Sequence, residues 1–453
     1  MLVHRNGCAS VRRMRPLFFA LLVSASVASC TKANPNAPDA GSTGSGSDAD
    51  VSPDANLEDC TPNSSVCADD VETVCDADGS VARETTCALG CFDDERCGKM
   101  NPSNGMAPHL DDAANGNDVV FSGTATIDTS AGTVTDVNGT VAVDTVLEQG
   151  GPVDVFVVKV KSLTATDINV VGTAALAIVS DGDVTIDGVL DVSGHFGVSG
   201  PGAMTSEPAC LGGVGAVSNS NGVSGGGGGG FGGAGGLGGS TLLGGGVNGG
   251  SGGNISGNPE ITPLRGGCDG ALAGRSGMPL GVGGGAIQIV SNSAVRLELN
   301  AAVAANGSGG GTREKMGPFL ACILGEPCFS GAGGGSGGAI VIEALAVTLA
   351  PEATLLANGG GGGCGIRTAG EDGQVSLVPA EGGDCDSAVG GNGGAGSEAA
   401  GADGTSRING ADSFAGGGGG GVGRIRINLP AGETFAPEGL VSPPNTAGVL
   451  GIR

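Results

Sequence analysis

The chain has 453 residues, of which 95 are glycine and 11 are phenylalanine, with no tryptophan or tyrosine. So few large side chains exclude a broad globular core and leave thin layers of Val, Ile, Leu and Ala to bury apolar surface. The formal net charge of −26 excludes nucleic acid as a partner, because the sequence has no basic patch to offset the repulsion.

Residues 1–29 have the pattern of a signal peptide for the general secretory route. Arg12, Arg13 and Arg15 precede an apolar segment at 17–27. That segment is shorter than the roughly 20 apolar residues of a membrane-spanning helix. We therefore predict that residues 1–29 are removed and that the rest of the chain is exported.

The stretch Val27-Ala28-Ser29-Cys30 resembles the lipobox of bacterial lipoproteins. The resemblance implies that Cys30 carries a diacylglyceryl group and becomes the first residue of the mature chain, which acyl chains then anchor in a membrane. Thr31 stands where an aspartate would retain some proteobacterial lipoproteins in the inner membrane, which favours the outer membrane or cell surface. Ordinary signal cleavage, with Cys30 incidental, is the alternative.

Residues 30–57 are predicted to be a disordered tether. They consist mostly of Asn, Pro, Ala, Gly, Ser and Asp and contain almost no apolar side chain. Such a segment cannot bury enough apolar surface to offset the entropy lost on ordering. We expect it to hold the rest of the chain away from the membrane.

Residues 58–98 form a small module rich in cysteine. Six cysteines in an exported segment of this length predict a disulfide framework in place of a core. They are Cys60, Cys67, Cys75, Cys87, Cys91 and Cys97. Fifteen pairings are possible, and the sequence favours none of them. A zinc site is the alternative, although the module has no histidine and no paired C-x-x-C spacing.

A turn is predicted inside this module. Asp78-Gly79, flanked by the apolar Val74 and Val81, indicates a β-hairpin. The stretch Asp76-x-Asp78-Gly79 also resembles the start of an EF-hand loop. No acidic residue follows at the twelfth position of that loop, so no calcium site is predicted there.

The segment from 115 to 430 contains an internal repeat. The stretch at 284–289 recurs at 337–342, and two shorter stretches after each copy also recur. Each copy has three short apolar segments with alternating side chains. About twenty residues with three strands and three corners fit one turn of a parallel β-solenoid (β-helix), which buries its apolar face by stacking on the next turn. The predicted fold class is therefore mostly β, a parallel β-solenoid, with 431–453 as a C-terminal tail; a β-sandwich is the alternative.

Three long glycine-rich insertions interrupt the repeat, at about 195–283, 308–336 and 360–422. They leave at one corner of the predicted solenoid, and insertions at one corner share a face that is often the binding face. Each contains two cysteines, and a cross-link in a glycine-rich loop removes much of the freedom of the unfolded chain. We predict one disulfide within each insertion: Cys210–Cys268, Cys322–Cys328 and Cys364–Cys385. Pairing between insertions is the alternative.

The glycine runs are consistent with two structures. Glycine either lets backbones approach closely, in layers resembling polyproline II, or leaves the chain mobile. A phosphate-binding loop is not predicted at Gly225–Gly230, because no Gly-Lys-Ser/Thr follows. Gly410–Gly417 resembles one RTX calcium nonapeptide, but RTX sites need tandem copies. The sequence therefore predicts no metal and no cofactor.

No catalytic residues are predicted. His109 and His195 remain after signal removal, and neither has a Ser or Cys nucleophile in a recognisable setting. Parallel β-helix enzymes that act on polysaccharides use clustered carboxylates. The candidates here are Asp181, Asp183, Asp187 and Asp191. Solvated turn positions explain them better, and the lack of Trp and Tyr removes the usual sugar-stacking platforms.

Residues 165–430 resemble glycine-rich β-helix surface lipoproteins and, distantly, the passenger regions of adhesins. The segment Thr85–Cys91 also resembles the ending of small Cys-rich units in surface lipoproteins of myxobacteria. These resemblances imply a non-enzymatic structural or adhesion role, with the membrane as one partner and extracellular matrix, polysaccharide or other cells as another. The alternatives are a polysaccharide-active β-helix enzyme, either lyase or hydrolase, and a passive surface spacer.

Overall fold

The computed structural model describes most of the chain after the predicted tether. The described residues are 60–217, 222–241, 246–274, 279–311, 330–365, 368–384, 388–406 and 415–453. Residues 59–453 form one compact unit. The predicted signal peptide, Cys30 and the predicted tether lie outside the described residues.

The Cys-rich module consists of short antiparallel strands. A three-stranded sheet and a two-stranded sheet are formed by β1 (Ser65–Ala68), β2 (Val71–Cys75), β3 (Val81–Thr86), β4 (Cys91–Phe92) and β5 (Arg96–Cys97). Three disulfides hold them together: Cys60–Cys75, Cys67–Cys91 and Cys87–Cys97. The predicted hairpin is present, because β2 and β3 pair antiparallel across the turn that contains Asp78. Three sulfurs of this module lie within 4.8 Å of one another, but all three belong to disulfides, so the zinc alternative receives no support.

A connecting segment follows the module. It contains β6 (Met100–Asn101), a 3₁₀ turn at Ser103–Gly105 and the helix α1 (Ala107–Ala113). Proline at the first turn of α1 is favourable, since its missing N–H would have no intrahelical partner there.

Sixteen strands of the following chain form one mixed sheet. They are β7 (Asp118–Asp128), β8 (Thr133–Asp136), β9 (Gly139–Thr140), β10 (Asp144–Glu148), β11 (Val155–Val160), β12 (Ser162–Val171), β13 (Ala175–Ser180), β14 (Val184–Ile186), β15 (Val189–Asp191), β16 (Ala286–Leu297), β17 (Ala302–Ala304), β18 (Ala339–Leu349), β19 (Thr354–Leu356), β20 (Arg424–Leu429), β21 (Leu440–Ser442) and β22 (Thr446–Val449). The prediction of a mostly β chain with a disulfide-rich N-terminal region is confirmed.

Most of this sheet consists of three parallel ladders. The first ladder runs through β11, β13, β16, β18, β20 and β22. The second runs through the first half of β7, then β12, β14, and the second halves of β16 and β18. The third runs through the second half of β7, then β12, β15, β17, β19 and β21. The antiparallel strands β8, β9 and β10 line one edge.

The register of the ladders follows the sequence repeat. Ile287 pairs with Ile340, and Ile340 in turn pairs with Ile425. These side chains belong to one buried cluster that lies along the inner faces of the three ladders. The cluster is built from Val, Ile, Leu and Ala with only Phe121 and Phe156 as large aromatic members, as the composition predicts.

The outer face of the first ladder is also covered, so its strands are buried on both sides. Met106 and Leu110, from the start of α1, pack on it in one cluster. Phe231, Ile261 and Leu264, from the first insertion, form a second cluster against the alanines that begin β13, β16 and β18. Burial on both faces explains why the sequence of a strand such as β13 is a continuous apolar run and does not alternate with polar residues.

A buried polar network holds the 3₁₀ turn before α1 against the sheet. The carboxylate of Glu343 on β18 is 2 % exposed and accepts hydrogen bonds from Gln288 Nε2 at 2.6 Å and Asn428 Nδ2 at 2.8 Å. The backbone N–H of Ser103 donates to the same carboxylate at 3.1 Å. This bond ties the 3₁₀ turn to the sheet.

The sheet extends past the predicted boundary at residue 430. Strands β21 and β22 lie in the segment predicted as a C-terminal tail, as does β23 (Gly451–Ile452). Ile452 pairs antiparallel with Met100 of β6. The end of the chain therefore packs next to the Cys-rich module.

Candidate functional site: the glycine-rich layer

The described parts of the three insertions form extended segments that lie side by side. We call them the glycine layer: 210–217, 222–241, 246–256, 266–274, 279–285, 305–311, 330–338, 357–365, 368–376, 380–384, 388–395, 399–406 and 415–423. Segments 279–285, 330–338 and 415–423 lead directly into β16, β18 and β20. Segment 330–338 has nine residues, which would span about 28 Å at the rise of polyproline II.

The run Gly225–Gly230 shows how the layer is held together. Its backbone N–H groups point in three directions in turn, and each direction recurs at every third residue, which is the period of polyproline II. In chain order the six groups donate at 2.8–3.0 Å to the carbonyls of Gly239, Gly331, Gly213, Gly236, Gly334 and Cys210. The first five carbonyls of the run accept from Gly250, Gly418, Ala271, Gly253 and Gly421. The run is therefore hydrogen-bonded to six neighbouring segments.

Only glycine fits this packing. A Cβ at Gly227 would lie 1.8 Å from the carbonyl oxygen of Ser251, and a Cβ at Gly228 would lie 1.9 Å from that of Gly419. Of the two structures left open by the sequence, the described segments adopt the closely packed one. The N–H groups of Gly225–Gly230 are engaged between segments, which leaves none to cradle a phosphate.

The insertions leave the sheet at positions that are linked by side-chain hydrogen bonds. The backbone N–H of Asn306 donates to Ser193 Oγ at 3.0 Å, and that of Asn358 donates to Asn306 Oδ1 at 2.8 Å. Ser442 Oγ donates to Asn358 Oδ1 at 2.5 Å. These linked side chains, which we call the corner ladder, lie just after β15, β17 and β19 and at the end of β21.

The segments reverse direction at the end of the layer away from the sheet. We call this the distal end and define it by five antiparallel bridges that close the reversals: Val217–Val223, Thr241–Val247, Cys364–Thr368, Asp384–Val389 and Ser406–Ala415. Ser330 of the second insertion joins two of these bridges, because its Oγ donates to Val223 O at 2.5 Å and accepts from Ala415 N at 3.2 Å. The distal end is thus a single surface built by all three insertions.

One predicted disulfide lies in this layer. Cys210 and Cys268 are bonded and fully buried, in agreement with the predicted pairing within the first insertion. Cys364 is also disulfide-bonded. Cys322, Cys328 and Cys385 lie outside the described residues, so the other two pairings stay predictions.

The four aspartates considered for catalysis lie at turns or strand ends. Asp183 Oδ2 pairs with Arg296 at 3.0 Å, and its Oδ1 accepts from Ser293 Oγ at 2.5 Å. Asp181 accepts from Asn292 Nδ2 at 3.4 Å. The only hydrogen bond of Asp187 to another described residue is from its backbone N–H to Ala165 O. Among the described residues, only the module cysteines place three His, Cys, Asp or Glu ligand atoms within 4.8 Å of one another. The aspartates are not brought together as a catalytic cluster.

The two histidines are engaged with acidic residues. His109 on α1 lies 3.0 Å from Glu148 Oε1 and is 8 % exposed. His195 Nε2 lies 3.2 Å from Asp191 Oδ2. That hydrogen bond, helped by the charge of Asp372, raises the pKa of His195 above its ordinary value. Burial by itself raises the pKa of Asp191, but the hydrogen bonds from His195 and Ser193 outweigh it and hold the pKa below its usual range.

The pair Asp191–His195 lines a cavity that the sequence did not predict. It has a volume of about 350 Å³ and lies beside the corner ladder, on the outer side of the third ladder. Glu352 and Asp372 also line it, although they are far from Asp191 in the chain. The sheet register brings Glu352 near Asp191, and the third insertion brings Asp372, so no local pattern could have revealed the cavity.

Arg265 and Arg424 flank Phe231 at the inner end of the glycine layer. The guanidinium carbons lie 5.8 Å and 5.6 Å from the ring centroid, within the range of cation–π contacts. Arg265 also pairs with Glu207. These contacts fix the first insertion against the sheet.

No helix among the residues that the structure describes is both long and apolar enough to span a membrane. Comparison of the chain with protein-family models, curated proteins and solved structures gave no match.

Proposed function

We propose that this chain is a lipid-anchored, non-enzymatic cell-surface protein. A parallel β-solenoid carries the glycine layer, and the distal end of that layer contacts extracellular matrix, polysaccharide or other cells. The observation that carries this proposal is the convergence of all three insertions on one distal end.

The solenoid is supported by the three parallel ladders. Residues 52 or 53 positions apart pair in all three ladders, as Ile287 with Ile340, Val295 with Val347 and Val303 with Leu355. The same sequence separation in all three ladders is typical of solenoid turns stacked along one axis. In this arrangement the glycine layer is an outgrowth from one corner of successive turns.

A role in contact is supported by the order of the glycine layer. Extended segments that satisfy each other's backbone groups hold their ends at fixed positions. Preorganised ends lose less conformational entropy on binding than flexible loops do. A passive spacer would not need three insertions that end on one surface.

Export is supported by the cysteines. Four disulfides join described cysteines, and disulfides persist in oxidising compartments. The lipobox resemblance implies a lipid on Cys30, which would anchor the exported chain in a membrane. Outer membrane or cell surface is therefore the proposed location.

The proposal is tested by attachment of cells that display the chain to a surface coated with their own extracellular matrix. Val217 and Val389 belong to the distal end and are 40 % and 38 % exposed. Val217→Lys and Val389→Lys should reduce attachment, because each places a charge on the proposed contact surface. Leu299→Lys is the matched control, since Leu299 is 56 % exposed on the turn between β16 and β17. Attachment unchanged in both distal variants would favour the passive spacer.

The enzyme alternative is tested separately with acidic and neutral polysaccharides. Turnover by the parent chain that is lost in Asp183→Ala and Asp187→Ala would support a polysaccharide-active enzyme instead. Absence of turnover with retained attachment is the result that we expect.

A further inference from the structure

The cavity beside the corner ladder has the form of a small binding site. Its floor is made by outward-facing residues of β15, β17 and β19. Turn residues that precede β17 and β19 form one wall, and the segment at 372–375 forms another. Its volume of about 350 Å³ lies at the lower end of the range for ligand pockets.

The lining is strongly acidic. Asp191, Glu352 and Asp372 line the cavity with one basic residue, His195, which pairs with Asp191. Glu352 and Asp372 keep the lining net negative. A partly enclosed site with charges of one sign concentrates ligands of the opposite sign. The cavity therefore favours a cation.

A bare metal ion does not fit this arrangement. No three carboxylate or histidine ligand atoms of the described residues lie within 4.8 Å of one another. A calcium ion gathers six to eight oxygen ligands at 2.3–2.6 Å, which requires a tighter cluster. The acidic groups are spread around the cavity and suit a larger cationic molecule.

A buried amide supplies the second feature. Asn306 is 5 % exposed and lines the cavity, and its Oδ1 accepts the backbone N–H of Asn358 at 2.8 Å. Its Nδ2 has no hydrogen-bond partner among the described residues. One turn further along the corner ladder, Asn358 Nδ2 donates to Gln374 O at 2.7 Å and to Ser376 O at 3.0 Å. The same amide nitrogen is thus bonded to protein at Asn358 and open to the cavity at Asn306, where it is free to donate to a ligand.

We propose that this cavity binds an amino-sugar unit with a free, protonated amine. The ammonium group lies beside Glu352 and Asp372, because Asp191 is already hydrogen-bonded to His195. A ring hydroxyl accepts a hydrogen bond from Asn306 Nδ2. Hydroxyl groups supply both donors and acceptors, which a simple alkylamine does not. This site lies on the sheet, away from the distal end, and does not depend on the proposed function.

The test is calorimetric titration of the full mature chain with a glucosamine trisaccharide. N-acetylglucosamine trisaccharide is the uncharged comparison, and lysine supplies an amine without ring hydroxyls. We expect the glucosamine trisaccharide to bind at least tenfold more tightly than either. Equal affinity for the acetylated sugar would overturn the charge argument, and equal affinity for lysine would overturn the assignment of a sugar.

Two variants test the residues. Glu352→Gln and Asp372→Asn should each weaken glucosamine binding at least fivefold, because each removes one negative charge from the lining. Asp372 also accepts the Gly309 N–H through Oδ1, which an asparagine retains; if this variant does not fold, Glu352→Gln carries the test. Glu298→Gln removes the same charge from a nearby exposed turn outside the cavity and should leave affinity unchanged. Equal affinity in Glu352→Gln and Glu298→Gln would overturn the proposal.

Discussion

The backbone N–H of Gly226 donates to the carbonyl oxygen of Gly331 at 3.0 Å, which joins the first insertion to the second. The carbonyl of Gly226 in turn accepts from Gly418 of the third insertion at 2.9 Å. One residue therefore links all three insertions, although they are far apart in sequence. The three insertions are therefore hydrogen-bonded to one another, and we expect a substitution that displaces one segment to destabilise its neighbours as well.

Gly228→Ala should destabilise the chain, because the new Cβ would lie 1.9 Å from Gly419 O and 2.4 Å from its carbonyl carbon. Backbone cannot move aside as a flexible side chain can, so we expect a loss of about 2–3 kcal/mol. Chemical denaturation measures it. Leu237→Ala is the matched control, since Leu237 is 52 % exposed in a neighbouring segment and its truncation adds no atom. Equal stability of the two variants would contradict the packing of the layer.

Removing the Cys210–Cys268 disulfide by a double substitution to alanine should also destabilise the chain. The bond closes a loop with a sequence separation of 58 residues. Loop entropy for that length corresponds to about 4 kcal/mol. Denaturation of parent and variant gives the difference. Non-reducing peptide mapping is the complementary check, and a peptide that joins Cys210 to a cysteine of another insertion would refute the pairing.

A feature of the fold could be predicted from the sequence where neighbouring residues alone determine it. Alternation in Ile287-x-Ile289 and its recurrence at Ile340 predict strands that stack, and the register agrees. A glycine run has no side-chain pattern that indicates which segments pack against it. The sequence of Gly225–Gly230 is therefore compatible with both an ordered and a mobile segment. Strand β21 is only three residues long, which is too short to show a period, and the sequence therefore assigned it to a tail.

The candidate cavity is the least predictable part. The sequence groups Asp191 with three neighbouring aspartates, whereas the structure places it beside His195, Glu352 and Asp372. The last two come from later turns. A repeat predicts which strands stack, but not which side chains of the intervening turns meet above them.

Asp269 should make stability depend on pH. It is 9 % exposed within the glycine layer, and burial raises its pKa to about 6 against the opposing hydrogen bonds from Gly283 N–H and Ser199 Oγ. The folded chain keeps this proton at a pH where the unfolded chain, with an ordinary carboxyl pKa, has released it. The stabilisation is therefore complete below the unfolded pKa of 3.8 and is lost as the pH rises through about 6.

Asp269→Asn tests this dependence, because asparagine keeps an acceptor for the Gly283 N–H without the charge. The stability of the variant relative to the parent should increase by about 1 kcal/mol between pH 5 and pH 8. Urea denaturation of both chains at the two pH values measures the change. A constant difference would mean that Asp269 does not titrate in this range.

Cys30→Ala should move the chain from the membrane fraction to the soluble or secreted fraction, because the lipid anchor would be lost. Fractionation followed by immunoblotting measures the distribution. A substitution of Cys8, which precedes the basic region of the signal, is the matched control and should leave the distribution unchanged. If Cys30→Ala stays with the membrane, the lipobox interpretation is wrong.

Hydrogen exchange of the peptide that covers 223–231 tests the central claim most directly, which is that the glycine layer is an ordered support for the distal end. Every N–H of Gly225–Gly230 is hydrogen-bonded to a neighbouring segment. Exchange should therefore be as slow as in the strands β16 and β18, over minutes to hours. Complete exchange within seconds would show that the glycine runs are mobile, and would contradict a preorganised contact surface.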